Sequence, residues 1–121
     1  MSTLVDPVTE ALHQGLYTRV IGRRVVAYQR LGSTMDEAAR LAEAAADDGT
    51  VVVAEEQTGG RGRFQRAWVS PPGNLYLSVV LRPSAGEAAY LGIIAALAVV
   101  RAVGRVTGRV PSIRWPNDVM M

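Results

Sequence analysis

Three glycines and three arginines fall within nine positions, Thr58 to Arg66, inside the segment EQTGGRGRFQRAWVSPPGNLYLS that runs from Glu56 to Ser78. Glycine lets a backbone approach a ligand closely and turn successive N–H groups toward one anion. Arginine adds a permanently charged planar fork that grips phosphate or carboxylate through two hydrogen bonds. A solvated basic loop has the same composition, but this one lies between two apolar runs with Trp68 beside it, which favours an anion site. It is no Walker A loop, because no Gly-Lys-Ser/Thr follows, and Gly59-Gly60-Arg61-Gly62 does not fit the G-x-G-x-x-G spacing. Phosphate would be held here by arginines and loop amides. Trp68 reads equally as core packing or as an aromatic wall for a base ring.

Two further clusters could carry chemistry. Gly32-Ser33-Thr34 precedes a helical pattern, and Ser33 with Asp36, or Thr34 with Glu37, has the spacing of a capping box. The functional alternative leaves one hydroxyl free for a polar ligand. Arg114-Trp115-Pro116-Asn117-Asp118 brings a cation, an aromatic ring, a rigid turn, an amide and a carboxylate together. Asn-Asp after proline is equally an ordinary turn whose side chains bond their own backbone.

The elements that must position these clusters follow from periodicity. Pro7 to Leu16 has the start signal of a short helix, with Asp6 as cap. Arg24 to Gln29 reads as a strand. Ala38, Leu41, Ala42 and Ala45 have helical spacing, and Asp47-Asp48-Gly49 ends that helix. Val51 to Ala54 is a continuous apolar run, as in a strand covered on both faces. Leu75, Leu77, Val79 and Leu81 alternate with Tyr76, Ser78, Val80 and Arg82, a half-buried strand that stops at Pro83. Glu87 to Val103 is apolar nearly all round and predicts a buried helix, broken by Gly104 and Gly108. Ser112 to Trp115 is a last short strand. The order suits an α+β or α/β domain with helices packed on a sheet.

Composition narrows the function classes. At 121 residues with 49% hydrophobic and 20% charged residues, the chain is at most one folded domain. All 13 basic residues are arginine, yet the net charge is only +2, which argues against a general nucleic-acid binder. Without cysteine there is no thiolate nucleophile, and His13 alone builds no histidine-based site. The first residues lack the basic start and apolar core of a signal peptide. The longest apolar run, Ala88 to Val100, is shorter than the ~18 residues of a membrane span. A soluble cytoplasmic protein is the expectation. The sequence stops soon after the apolar Val119, an ending that reads as the first part of a larger domain.

Taken in order, the three clusters closely resemble the biotin protein ligases, also called biotin–[acetyl-CoA-carboxylase] ligases. The family pattern is carried by Ser33-Thr34-Met35, by Gln57 with Gly60-Arg61-Gly62-Arg63, Arg66 and Trp68, by Ser70-Pro71-Pro72-Gly73-Asn74-Leu75-Tyr76-Leu77-Ser78, and by Arg114-Trp115-Pro116-Asn117-Asp118. It covers roughly residues 24 to 121. The resemblance implies an α+β fold, a mixed and largely antiparallel sheet with packed helices, like that of class II aminoacyl-tRNA synthetases. It implies that residues 1–121 are a partial catalytic domain, without the N-terminal winged helix or the small C-terminal domain of longer members.

The implied activity joins biotin to ATP, releases pyrophosphate and passes biotin from biotinyl-AMP to a lysine of a biotin carboxyl carrier domain. Biotin and ATP would be substrates, with Mg2+ accompanying ATP, and neither nucleic acid nor membrane would be a partner. By the same resemblance Ser33, Thr34, Gln57, Gly60, Arg61, Arg63 and Arg114 would bind biotin. Arg61, Gly62, Arg63, Arg66, Trp68, Asn117 and Asp118 would serve ATP, and Arg63 and Arg114 would be catalytic. The pattern departs at Met35, where asparagine is common, and at Arg114, where the family has lysine. A lipoate or octanoate ligase is the alternative within the superfamily, and a fragment that only binds ligand is the alternative outside catalysis.

Overall fold

The computed structural model describes residues 2–3 and 17–121, and the helix expected over Pro7 to Leu16 lies outside them. Two compact units make up the chain, Met1–Arg82 and Pro83–Met121. The first is built on a four-stranded sheet in the order β1-β2-β3-β4, from β1 (Ser2–Thr3), β2 (Val25–Leu31), β3 (Val51–Gln57) and β4 (Tyr76–Val79). β2 and β3 run parallel, from Val25 opposite Val51 to Leu31 opposite Gln57. β1 on β2 and β4 on β3 are antiparallel, so the sheet is mixed and mostly antiparallel, as expected.

Parallel neighbours need a crossover, and helix α1 (Thr34–Glu43) supplies it. Ser33 caps it in an extended conformation, its Oγ accepting from the Met35 N–H, and Asp36 and Glu37 place negative charge in the first turn, where the helix dipole favours it. Ala38 and Leu41 are buried against the sheet with Tyr28, Leu31, Val52, Ala54 and Val80. The periodicity fails at Ala45, which is exposed and takes a left-handed conformation beyond the helix end; Ala46 is buried instead. Arg82 closes this end, donating to the carbonyls of Ala42 and Ala46.

Three further expectations need correction. Val80, just past the end of β4, faces the core under α1, not Leu77 or Leu81; both leucines are exposed. The register sets this, because Val79 pairs with Val51 and so joins Val25 and Val53 on the opposite face of the sheet. Both faces of β4 carry apolar residues, so alternation alone could not say which one meets the helix.

In the second unit, Ser84 and Glu87 form a reciprocal capping box on the one-turn helix α2 (Ala85–Ala88), and α3 (Leu91–Thr107) follows as a separate helix. Gly108, left-handed, ends α3. Gly104 does not break it: a Cβ there would lie 3.2 Å from the Arg109 carbonyl, so glycine admits the returning chain. α3 is not buried as expected, since Ala96 is its one buried residue. Within its unit it packs on a two-stranded hairpin, β5 (Ser112–Arg114) with β6 (Asp118–Met120), too small to cover a helix that is apolar nearly all round.

Candidate functional site

The glycine–arginine loop grows directly out of the parallel pairing. The Thr58 and Gly59 N–H groups donate to the Leu31 and Gly32 carbonyls at 3.0 and 2.7 Å, which carries the chain past the end of β3 beside the start of α1. The loop then folds back on itself. Gln57 donates from its backbone to the Ser70 carbonyl at 3.1 Å, and Trp68 donates to that of Gly60 at 2.8 Å. The tip is a 3-10 turn, Arg63–Gln65, closed by the Gly62 N–H on the Arg66 carbonyl at 2.7 Å. Phe64 and Gln65 both take φ near +60°, a conformation that costs non-glycine residues energy and is concentrated at ligand sites.

Gln57 sits at the centre of a hydrogen-bonded chain linking the start of α1 to this loop. Its Oε1 accepts from the Thr34 N–H at 2.8 Å and from the Thr34 hydroxyl at 3.2 Å. Its Nε2 donates to the Ser70 Oγ at 3.1 Å, and Ser70 donates in turn to the Trp68 carbonyl at 3.0 Å. The Thr34 proton being committed, the Ser78 hydroxyl must be the donor in its 2.9 Å contact with Thr34 Oγ1. Gln57 thus satisfies a helix N–H that α1 cannot satisfy itself. Gly60 is pressed against this chain, and a Cβ there would lie 2.5 Å from Ser70 Oγ and 2.6 Å from the Trp68 carbonyl. Beside it opens a cleft of about 380 Å³, whose walls include Gln57, Gly60, Trp68 and Ser70.

The structure therefore brings Ser33, Thr34, Gln57, Gly60 and Trp68 together, and Ser33 is the helix cap as well. The reciprocal half of the capping box is not formed by Asp36, whose carboxylate takes the Arg61 fork instead. Arg61 donates from Nη1 to Oδ2 at 2.9 Å and from Nη2 to Oδ1. This pairing holds the Asp36 carboxyl below its ordinary value and raises the Arg61 guanidinium. Arg63 lies over the Phe64 ring at 5.2 Å, and Arg66 has no acidic partner among the described residues. Trp68 is 60% exposed, which removes the core reading and leaves its indole as a wall of the cleft.

Arg114, Asn117 and Asp118 belong to the second unit. Arg114 and Asp118 face each other across the β5–β6 pairing, and Trp115-Pro116-Asn117, with a cis Trp115–Pro116 bond, makes the turn. All three side chains are exposed. Among the described residues no three metal-ligating side chains cluster.

Sequence reasoning named Ser70 and Ser78 only as part of a motif, gave Asp36 and Glu37 only a capping spacing, and missed the cluster of buried Tyr28 and Glu37 with the exposed Arg40. Ser78 had a signal, since alternation along β4 places it on the same face as Val80. The Glu37 pairing had none: buried at the first turn of α1, Glu37 accepts from the Tyr28 hydroxyl at 2.8 Å and pairs with Arg40 at 2.5 Å. Hydrogen bonds from Arg40 and Tyr28 outweigh burial and hold the Glu37 carboxyl below its ordinary value.

The sequence matches the Biotin/lipoate A/B protein ligase family over residues 27–121. The Bifunctional ligase/repressor BirA of Bacillus subtilis is 40% identical over 110 residues, which are 88% of this chain and 34% of that protein. The Biotin–[acetyl-CoA-carboxylase] ligase of Paracoccus denitrificans is 44% identical over 96 residues, 76% of this chain and 40% of the relative. The structure of the biotin protein ligase from Aquifex aeolicus in complex with biotin and ATP superposes with a TM-score of 0.70 at 35% identity, covering 82% of this chain and 42% of that one. The chain thus spans between about a third and two fifths of the length of these relatives. No helix among the described residues is long and apolar enough to cross a membrane. With most of its length matched, the chain belongs to the Biotin/lipoate A/B protein ligase family.

Proposed function

We propose that residues 1–121 form the part of a biotin protein ligase catalytic domain that activates biotin with ATP, for transfer to a lysine of a biotin carboxyl carrier domain. A biotin carboxylate oxygen attacks the α-phosphorus of ATP, the bond to pyrophosphate breaks, and biotinyl-AMP forms. The lysine amine of the carrier then attacks the acyl carbon and AMP leaves. The nucleophiles belong to the substrates, so the protein's task is to bring two anions together and stabilise developing charge.

The Gln57-centred chain carries this reading. After its internal bonds, Gln57 retains one N–H to donate, Thr34 Oγ1 one lone pair, and Ser33 its hydroxyl proton. Two donors and an acceptor complement a cyclic urea, whose oxygen accepts twice and whose N–H groups donate. A saturated acyl chain offers none of this, which sets biotin apart from octanoate. Arg63 and Arg66, with the amides of Gly60 and Gly62, would meet the carboxyl and phosphate groups, and Arg61 would hold the loop that carries them. Trp68 would border the adenine. By resemblance, Arg114 serves the α-phosphate, and Asn117 and Asp118 the nucleotide with its magnesium ion, which arrives bound to ATP.

The test is biotin-dependent exchange of labelled pyrophosphate into ATP by this chain, with lipoate and octanoate as controls. Exchange with biotin alone is expected. Gly60→Ala should abolish most of it, because its Cβ displaces Ser70 Oγ or the Trp68 carbonyl, and one misplaced donor costs about 3 kcal/mol of barrier. Equal exchange with octanoate, or an unaffected Gly60→Ala variant, would overturn the reading.

A further inference from the structure

Of the three loop arginines, only Arg61 is paired with a carboxylate among the described residues, and that carboxylate comes from another element. Asp36 stands in the first turn of α1, 25 positions earlier in the chain, and it receives both arms of the guanidinium. Two parallel N–H···O bonds fix orientation as well as distance, which a single contact would not. We infer that Asp36 is a positioning residue: its carboxylate clamps Arg61 and thereby fixes the glycine–arginine loop beside the start of α1, leaving Arg63 and Arg66 to face an anionic ligand.

The pattern of backbone bonds gives this clamp its weight. The base of the loop is tied to Leu31 and Gly32 through Thr58 and Gly59. From Arg61 to Trp68 the backbone bonds among the described residues are internal to the loop, from Gly62 to Arg66, from Arg66 to Arg63 and from Trp68 to Gly60. Among the described residues the Arg61–Asp36 pair is thus the direct hydrogen-bonded tie between the outer loop and α1, whereas the chain through Gln57 and Ser70 reaches only the returning end of the loop, at the Trp68 carbonyl. The outer loop also contains the two left-handed residues, Phe64 and Gln65, whose strain favours release unless something holds them. Asp36 could instead have reached back to the Ser33 N–H, as a capping box would; it faces the loop.

The clamp is exposed, with side-chain accessibilities of 59% for Asp36 and 38% for Arg61. Exposed pairs are screened by salt and shift an equilibrium only a few-fold. The loop is therefore held closed by a tie weak enough to open for a ligand. A role in ligand binding rests on the function proposed above; the clamp itself does not.

Trypsin cleaves after arginine, so nicking of the native chain after Arg63 and Arg66, followed by mass spectrometry, reports the open population of the loop directly. Asp36→Asn should raise nicking at both sites about threefold at low salt. Asp36→Glu should restore most of the protection, as should the charge exchange Asp36→Arg with Arg61→Asp. Added salt should increase nicking of the unaltered chain but not of Asp36→Asn. Thermal melts of each variant separate loop opening from loss of fold, and the charge exchange decides the matter if Asp36→Asn alone folds poorly. Equal nicking of the unaltered chain and Asp36→Asn, or no recovery on charge exchange, would overturn the clamp. Calorimetric titration with biotin should show affinity reduced by a similar factor in Asp36→Asn. Should the unaltered chain bind no biotin, the functional reading fails while the nicking comparison still tests the clamp.

Discussion

Leu41 in the first unit is 7% exposed and Val52 is wholly buried, whereas Ile94 and Leu97 in the second remain 55% and 49% exposed. These side chains are similarly apolar, so the difference lies in what surrounds them. α1 lies on a four-stranded sheet whose strands present Tyr28, Val52 and Ala54 to it, with Val80 just past the end of β4. α3 has a hairpin of two three-residue strands as its partner within the unit. Apolar periodicity reports which surfaces gain by leaving water, but burial requires a second layer wide enough to cover them. The candidate site follows the same division. Gln57, Thr34 and Ser70 satisfy one another inside the first unit, while Arg114 and Asp118 stand exposed on the hairpin.

The largest expected effect probes the packed side of that contrast. Leu41→Ala removes most of a buried side chain between α1 and the sheet, and should destabilise the first unit by about 2–5 kcal/mol. Hydrogen exchange of the β2 and β3 amides measures this locally, with α3 amides as the internal reference. A loss below about 1 kcal/mol would mean that the core under α1 is looser than its burial indicates.

Glu37 sharpens the same side with a smaller effect. It is a buried carboxylate held by Arg40 and the Tyr28 hydroxyl, so replacing it with glutamine keeps an acceptor but removes the charge. Charge-assisted hydrogen bonds contribute about 1.5–3 kcal/mol, and Glu37→Gln should cost the first unit about 1–2 kcal/mol at neutral pH. Because the folded carboxyl titrates below the ordinary value of 4.5, its contribution is complete above that pH and is lost as the pH falls toward the folded value. Urea unfolding of the two chains should differ at neutral pH and converge on acidification below 4.5. Parallel pH profiles would show that Glu37 acts by shape alone.

Much of the first unit was legible because its local signals agree. The Ser33 cap, the first-turn acids and the apolar spacing of Ala38 and Leu41 all point to one helix, and the run at Val51 to Ala54 points to one covered strand. The site residues were legible as a motif, but their connections were not. That Gln57 reaches Thr34 and Ser70 depends on β2 and β3 being parallel neighbours, and that Asp36 takes Arg61 depends on where the loop lies. Both are tertiary facts with no local periodicity. The face chosen by β4 and the exposure of α3 escaped for a related reason. An apolar residue at either place satisfies the pattern equally, and only the partner layer decides.

The smallest effect probes the uncovered side, and its sign differs from that of the first. Val106 lies in the last turn of α3 and is 87% exposed, so truncating it to alanine surrenders almost no buried surface. Valine is stiff at χ1 in a helix while alanine loses no side-chain entropy, a difference of up to about 0.7 kcal/mol in favour of alanine. Val106→Ala should therefore leave the second unit unchanged or slightly more stable, by about 0.5 kcal/mol at most. The same kind of truncation that costs several kcal/mol at Leu41 should be neutral or favourable here. Exchange of the α3 amides measures it. A loss of more than about 1 kcal/mol, of the kind that truncating a packed aliphatic side chain produces, would show that in solution this end of the helix is covered. If that loss grew with protein concentration, the cover would be a second copy of the chain.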